Sequence, residues 1–205
     1  MKWIDIFSTK QTFLLFVFSN LIIQLIITRY AMVKAPKNKN KWYTFGLFIV
    51  SIILLILMSF SIPMVVKFIL FCLFSVIFGF ILGTRSISDA ILQIAFYGTL
   101  GIFVLMGLLG LLLSMIGIQL GIKFGLGLFF ALLLLILVSL FNLFTGDISH
   151  KLIAGFAVFL FSLYILYDTN VILQRNYQGD FITASISYYL DIVNVFSNLV
   201  TLNSE

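Results

Sequence analysis

The stretch FGLGLFFALLLLILVSLFNLFTG, residues 124–146, runs for 23 positions without Asp, Glu, Lys or Arg. A helix of about 20 apolar residues crosses the roughly 30 Å hydrocarbon layer of a bilayer, so this stretch predicts a transmembrane helix. Five more charge-free stretches, of 18, 25, 17, 33 and 16 residues, are long enough for one span each. They lie between Lys10 and Arg29, Lys41 and Lys67, Lys67 and Arg85, Asp89 and Lys123, and Lys151 and Asp168.

Composition excludes a water-soluble globule. Of 205 residues, 62% are hydrophobic and 9% charged, which leaves too little polar surface to coat a folded chain. With a seventh, more polar segment from Phe181 to Leu202, the sequence predicts an all-α membrane protein of one domain, residues 1–205. The predicted spans cover residues 11–29, 42–61, 64–83, 90–113, 124–144, 152–173 and 181–202.

Several residues mark the ends of these spans. The run after Lys10 is expected to be the first span and not a cleaved signal peptide, because it lacks a small-residue cleavage site. Pro63 separates the second and third spans. Gly117 and Gly121 allow the longest stretch to end after one helix. Glycines four apart, such as Gly79 and Gly83, favour close packing of helices.

A basic loop bears on partners and orientation. Five of the basic residues fall in it: Arg29, Lys34, Lys37, Lys39 and Lys41. Such a loop is typical of a membrane surface facing anionic lipid, so we expect the lipid bilayer as a partner and no nucleic acid. Counting basic residues on each side, 7 against 5, places this loop in the cytoplasm.

Two carboxylates lie within hydrophobic segments, Asp168 in the sixth span and Asp191 in the seventh. An acid inside the bilayer costs about 2.5–3.5 kcal/mol on insertion scales, so both are expected to face protein or water. If they meet, they cannot comfortably both ionise, and the pair would share a proton. We therefore predict a proton sensor or gate at these residues.

The seventh span also carries a polar face, because Ser187, Asp191, Asn194 and Asn198 are spaced by four, three and four residues. Such a face indicates a wet lumen or a hydrogen-bonded centre, and packing by interhelical hydrogen bonds alone is the alternative for the serine and asparagines. The further pore-lining or hydrogen-bonding candidates are Tyr164, Asn170, Gln93, Asn142 and Lys67.

No catalytic constellation accompanies these residues: the sequence has no nucleophile elbow, phosphate-binding loop or pair of metal-spaced histidines. We predict that the protein is not an enzyme and needs no cofactor. Its one cysteine, Cys72, excludes an intramolecular disulfide and a four-cysteine metal site.

The sixth and seventh spans read FSLYILYDTN, residues 161–170, and SYYLDIVNVF, residues 187–196. This pair, with its two acids 23 residues apart, resembles the signature of the transmembrane Bax inhibitor motif family. The two motifs cover about 20 residues, and the Phe141-Asn142 ending of the fifth span is a further likeness. The resemblance implies six helices around a central seventh, with the N-terminus in the cytoplasm, the reverse of what basic-residue counting favours.

Bacterial members of that family look like pH-sensitive calcium leak channels gated by a pair of aspartates. The resemblance implies that Asp168 and Asp191 are this pair, hydrogen-bonded near the cytoplasmic mouth, with calcium ions and protons as partners and calcium as a transient ligand. Family members often place a base at the end of the second span, where it latches onto the acids. Residues 59–63 contain none, and Lys67 is the nearest substitute.

Three functions stay open on these observations. The first is a calcium-permeable, proton-regulated leak channel. The second is a non-conducting interaction protein that modulates a membrane protease or stress signalling through a membrane protein partner, and the third is a proton-coupled transporter. The apolar bias and the Lys/Asn-rich loop favour the plasma membrane of a bacterium with an AT-rich genome.

Overall fold

The computed structural model describes residues 3–36, 40–84 and 87–204, with the side chains of 10–36, 40, 42–84 and 87–204. This part of the chain forms seven helices and no strand, which confirms the all-α class and the number of helices. The helices are α1 (Trp3–Lys34), α2 (Lys41–Ser59), α3 (Met64–Gly83), α4 (Asp89–Met115), α5 (Ile122–Thr145), α6 (His150–Gln174) and α7 (Phe181–Asn203).

The helix ends fall where the sequence predicted breaks. Pro63 directly precedes α3, and α4 ends just before Gly117, whose φ of 84° lies in the left-handed region that glycine tolerates. Gly121 then precedes α5. The largest difference from prediction is α1, which extends beyond residues 11–29 at both ends.

The basic loop lies partly outside the described residues, since Lys37 and Lys39 and the side chain of Lys41 are among those not described. Arg29 and Lys34 belong to the last turns of α1 and are exposed. The orientation of the chain in the membrane therefore stays a prediction.

Six of the described helices, α1 to α6, are long and apolar enough to cross a bilayer. Large apolar side chains on them point outward, among them Ile122, which is 77% exposed, and Phe130, which is 63% exposed. Water would penalise such a surface, whereas lipid matches it. The chain is thus a multi-pass integral membrane protein. The polar residues of α7 lower its mean hydropathy, so α7 is not among these six helices.

α7 is instead heavily covered by protein. Ile182, Tyr188, Tyr189 and Val195 are each exposed by 1% or less, although they point in different directions around the helix.

Contacts group the chain into two compact units. One, the α1–α3 unit, contains α1 from Thr9 onward, α2, α3 and residues Tyr177–Tyr189. The other, the α4–α6 unit, contains α4, α5, α6 and α7 from Leu190 onward. α7 therefore contributes its first part to one unit and its second part to the other. The single-domain assignment stays a prediction.

Within the α1–α3 unit, α3 packs closely on α1 at two glycines. A Cβ on Gly79 would lie 2.5 Å from the carbonyl oxygen of Thr28, and one on Gly83 would lie closer still to that of Met32. The glycines therefore allow the backbone contact that their spacing predicted.

The α4–α6 unit is held by apolar packing and one close contact. Leu128, Leu135, Phe161, Ile165 and Val195 belong to a buried core shared by α5, α6 and α7. α4 approaches α6 so closely that a Cβ on its Gly110 would lie 2.5 Å from the carbonyl oxygen of Leu166. This packing fixes α6, which carries the first of the predicted acids.

Candidate functional site

The two predicted acids both lie in the α4–α6 unit. Asp168, in the last two turns of α6, is partly buried, and Asp191, in the middle of α7, is only 5% exposed. They lie close enough to interact electrostatically. The phenol of Tyr164, one turn before Asp168 on α6, interacts with both carboxyl groups.

One oxygen of this pair has no partner. The Oδ2 atom of Asp191 is buried and, among the described residues, accepts no hydrogen bond, so it does not bridge to Asp168. A buried polar atom without a partner is costly, and an ionised carboxylate is more so. The chemistry of the site therefore favours a proton, a water molecule or a cation at Oδ2.

Lys67, the candidate for neutralising the pair, is engaged elsewhere. Its Nζ lies 2.6 Å from Asp180 Oδ2 and 3.1 Å from Thr183 Oγ1. The expectation that Lys67 replaces the missing basic latch of Asp168 and Asp191 is therefore wrong. Asp180 attracts the ammonium because it faces α3 directly from the connection between α6 and α7.

The polar face of α7 uses its amide donors within the helix. Asn194 Nδ2 donates to the carbonyl oxygen of Leu190 at 2.8 Å, and Asn198 Nδ2 donates to that of Asn194 at 2.8 Å. Both asparagines and Ser187 are half-buried. Their side chains thus continue the polar face around Asp191 without cross-linking helices through these donors.

Asn170 has a different role from the other candidates, because it is fully buried and joins three parts of the α4–α6 unit. Its Nδ2 contacts Ser114 Oγ at 2.9 Å and the carbonyl oxygen of Ile118 at 3.0 Å. Its Oδ1 accepts from the backbone N–H of Leu120 at 2.8 Å and from Gln174 at 2.6 Å. These bonds hold the α4–α5 connection against α6.

Asn142 and Gln93 complete the predicted set. Asn142 is 3% exposed, and its Oδ1 accepts from the backbone N–H of Ile148 at 2.8 Å, which ties the α5–α6 connection to the end of α5. Its Nδ2 is buried and without a partner among the described residues. Gln93, near the start of α4, is exposed.

A buried polar network in the α1–α3 unit was not predicted from the sequence. Gln24 is fully buried; its Oε1 accepts from Ser75 Oγ at 2.8 Å, and its Nε2 donates to Asn20 Oδ1 at 3.3 Å. Thr28 shares a hydrogen bond with the hydroxyl of Tyr189. The sequence feature that indicates this network is the spacing of four residues between Asn20, Gln24 and Thr28, which puts them on one face of α1.

Asp180 was also missed, because it lies outside the hydrophobic segments. Its signal was local: an aspartate three residues before a threonine at the start of a helical segment is a common capping arrangement. The structure joins that cap to Lys67, a charged residue inside a hydrophobic stretch.

These features define a class of protein: a multi-pass helical membrane protein with two interacting acids, one of them carrying a buried oxygen without a partner. Residues 10–204 match the sequence model of a family described as "Inhibitor of apoptosis-promoting Bax1". The match covers nearly the whole chain, and this protein therefore belongs to the Bax inhibitor family.

Curated relatives match a shorter segment. A protein of Helicobacter pylori (strain ATCC 700392 / 26695) is 43% identical over 76 residues, 37% of this chain and 33% of the relative. The Golgi anti-apoptotic protein of Vaccinia virus (strain Lister) is 38% identical over 81 residues, 39% of this chain and 34% of that protein. Protein LIFEGUARD 1 of Arabidopsis thaliana is 35% identical over 80 residues, 38% of this chain and 34% of that protein. The matched segment is thus about a third of each relative's length.

Proposed function

We propose that this protein is a pH-sensitive leak channel for cations, calcium in particular, in which Asp168 and Asp191 sense protons. The observation that carries the proposal is the buried Oδ2 of Asp191, which lacks a partner beside a second interacting acid. Intramembrane acids commonly mark ion or proton pathways.

The mechanism follows from the electrostatics of two neighbouring acids. While the pair holds a proton, it carries at most one negative charge, and the helices can remain in contact. When that proton leaves, two negative charges face each other where water is scarce, and they must separate or recruit a cation. Either response alters the path for ions between α6 and α7.

Calcium suits the donor atoms of the site. Ca²⁺ prefers oxygen ligands and takes six to eight of them. Two carboxyl groups supply at most four oxygens, and the described residues contain no cluster of three or more His, Cys, Asp or Glu side chains that could hold a metal. Calcium would therefore bind weakly and transiently, as permeation requires.

We place the channel in a bacterial plasma membrane. The support is the matched protein of Helicobacter pylori together with the apolar, Lys/Asn-rich sequence. In that membrane the protein would act without an enzymatic step or a resident cofactor.

The test is calcium flux into proteoliposomes that contain a calcium-sensitive dye, measured at external pH values from about 5 to 8. The wild-type protein is expected to give a flux that changes with pH. Asp168→Asn and Asp191→Asn each remove one titrating group, so each variant should lose most of this pH dependence.

Asp147→Asn is the matched control, because Asp147 is an exposed acid in the α5–α6 connection. This variant should keep the wild-type flux at every pH. A wild-type pH profile in both the Asp168→Asn and Asp191→Asn variants would contradict the proposed sensor.

A second candidate is a non-conducting protein that acts through a membrane protein partner. The name of the Vaccinia virus relative, Golgi anti-apoptotic protein, favours it. In that case the liposomes would show no calcium flux, and the Asp191→Asn variant would still co-purify with the partner and function normally in cells.

A further inference from the structure

The carboxyl group of Asp180 joins α3 to the start of α7. Its Oδ1 accepts from the backbone N–H of Thr183 at 3.0 Å, which caps α7. Its Oδ2 accepts from Thr183 Oγ1 at 2.7 Å and from Lys67 Nζ at 2.6 Å. One carboxylate therefore serves as a helix cap and as one half of an ion pair between two helices.

Lys67 depends on this contact. Its side chain is 8% exposed, in the first turns of α3, and an ammonium group buried without a counter-ion is strongly disfavoured. If Asp180 lost its charge, the ammonium group of Lys67 would still have Thr183 Oγ1, a neutral acceptor, within hydrogen-bond distance. The buried ammonium group of Lys67 therefore requires the negative charge of Asp180.

α1 packs on the same end of α7. The rings of Phe16 and Phe181 stack at 5.4 Å between centroids, and Ser185 Oγ donates to the carbonyl oxygen of Val17 at 3.0 Å. The first turns of α7 are thus held by α1 through ring stacking and a hydrogen bond, and by α3 through charge. Asp180 and Lys67 supply the charged part of this attachment.

We propose that the Lys67–Asp180 ion pair is a positioning device that fixes the start of α7 on α3 and thereby sets the position of Asp191. α7 is one continuous helix, and Asp191 follows Asp180 by 11 residues, about 16 Å along the axis at 1.5 Å per residue. A rigid helix held at its first turn transmits that constraint to a residue three turns away. This proposal rests on the proposed leak function.

The pair is formed at neutral pH. Burial alone would raise the pKa of Asp180, but hydrogen bonds from Lys67 and Thr183 outweigh it and hold that pKa below its ordinary value. Asp180 therefore keeps its charge over the range in which the Asp168–Asp191 sensor is expected to respond. The pair should control how much calcium passes and not the pH at which the flux changes.

The experiment compares Lys67→Met, Asp180→Asn, the double variant and Lys67→Arg. Asn is a good helix cap, so Asp180→Asn removes the charge but keeps the bond to Thr183. We expect each neutral single variant to change calcium flux several-fold, with the pH midpoint unchanged. The double variant should change the flux no further than either single variant. Lys67→Arg, which keeps the charge, should retain most of the wild-type flux.

Hydrogen–deuterium exchange of the backbone amides of residues 181–187 gives a second readout that does not depend on flux. Exchange should be faster in Lys67→Met and Asp180→Asn than in wild type and near normal in Lys67→Arg. Effects of the two single variants that simply add would show that Lys67 and Asp180 act independently and would overturn the proposal.

Faster exchange with unchanged flux would also overturn it, because the pair would then be merely structural. If Asp168→Asn and Asp191→Asn leave the flux and its pH profile unaltered, the proposed sensor fails, and the positioning of that sensor fails with it. The exchange of residues 181–187 would still show whether the ion pair anchors α7, so the two failures can be told apart.

Discussion

Gly79→Ala tests the close contact between α1 and α3. A Cβ at this position would lie 2.5 Å from the carbonyl oxygen of Thr28 and 2.7 Å from the Cβ of Ala31, whereas ordinary contact begins at 3.4 Å. The two helices would have to separate by close to 1 Å. Overpacking of this kind costs about 1–3 kcal/mol.

Gly46→Ala in α2 is the matched control, because a Cβ at Gly46 would meet nothing within 4 Å. Both substitutions raise helix propensity by a similar amount, about 1 kcal/mol. That contribution cancels when the two variants are compared, and the difference in their free energies of unfolding measures the steric cost alone. Gly79→Ala should therefore be less stable than Gly46→Ala by about 1–3 kcal/mol.

Thermal unfolding in detergent can be followed through Cys72, the one cysteine of the sequence, which lies partly buried in α3. A thiol-reactive fluorogenic dye reports when this side chain becomes accessible. At about 2–4 °C per kcal/mol for a chain of this size, Gly79→Ala should unfold roughly 2–12 °C below Gly46→Ala. Equal or reversed unfolding temperatures would refute the close contact of α1 with α3.

Three further predictions concern polar contacts. Asn170→Ala should destabilise the protein by about 2–4 kcal/mol in the same assay, because several buried partners lose their hydrogen bonds together. Ser75→Ala should cost about 1–3 kcal/mol, because it leaves the buried Oε1 of Gln24 without its donor. The lowered pKa of Asp180 means that its pair with Lys67 stabilises the fold at neutral pH and that this stabilisation is lost as pH falls through that pKa. The unfolding temperature of the wild type should therefore approach that of Asp180→Asn in acid.

Matched controls exist for these variants. Asn203 and Ser59 are exposed and make hydrogen bonds to their own helices, so alanine at either position should change stability by less than about 0.5 kcal/mol. Equal losses in a buried variant and its control would contradict the contacts described for that residue. For Asp180, a difference from the wild type that persists unchanged into acid would contradict the lowered pKa.

The helix positions could be predicted because, in a membrane, the length and apolarity of a stretch nearly suffice to identify it as a helix. In lipid every backbone polar group must be bonded internally, so each apolar stretch long enough to span becomes a helix. The bounds of α3 and α5 accordingly lie within two residues of prediction. α1 differed more because its predicted span was bounded by the charged residues Lys10 and Arg29, whereas the helix continues through both of them.

The acids could be found for the same reason, since Asp168 and Asp191 stand out against an apolar background. The ion-pair partner of Lys67 could not be found in this way. Lys67 lies 113 residues from Asp180 in sequence, and nothing in either local segment indicates that α3 and the start of α7 meet. The choice of Asp180 over the acid pair depends on packing between helices.

The asparagines also show that the partner of a polar side chain cannot be predicted from the sequence. Asn170 and Asn194 both stand out in the sequence as amides in apolar helices, yet Asn170 bonds across to the α4–α5 connection and Asn194 bonds back to its own helix. The sequence by itself determined the membrane class, the seven helices and the two acids, because hydrophobicity and length act locally along the chain. Only the tertiary structure decided which polar groups meet and which oxygen of Asp191 stays without a partner, because hydrogen bonds and ion pairs are set within an ångström by how helices pack.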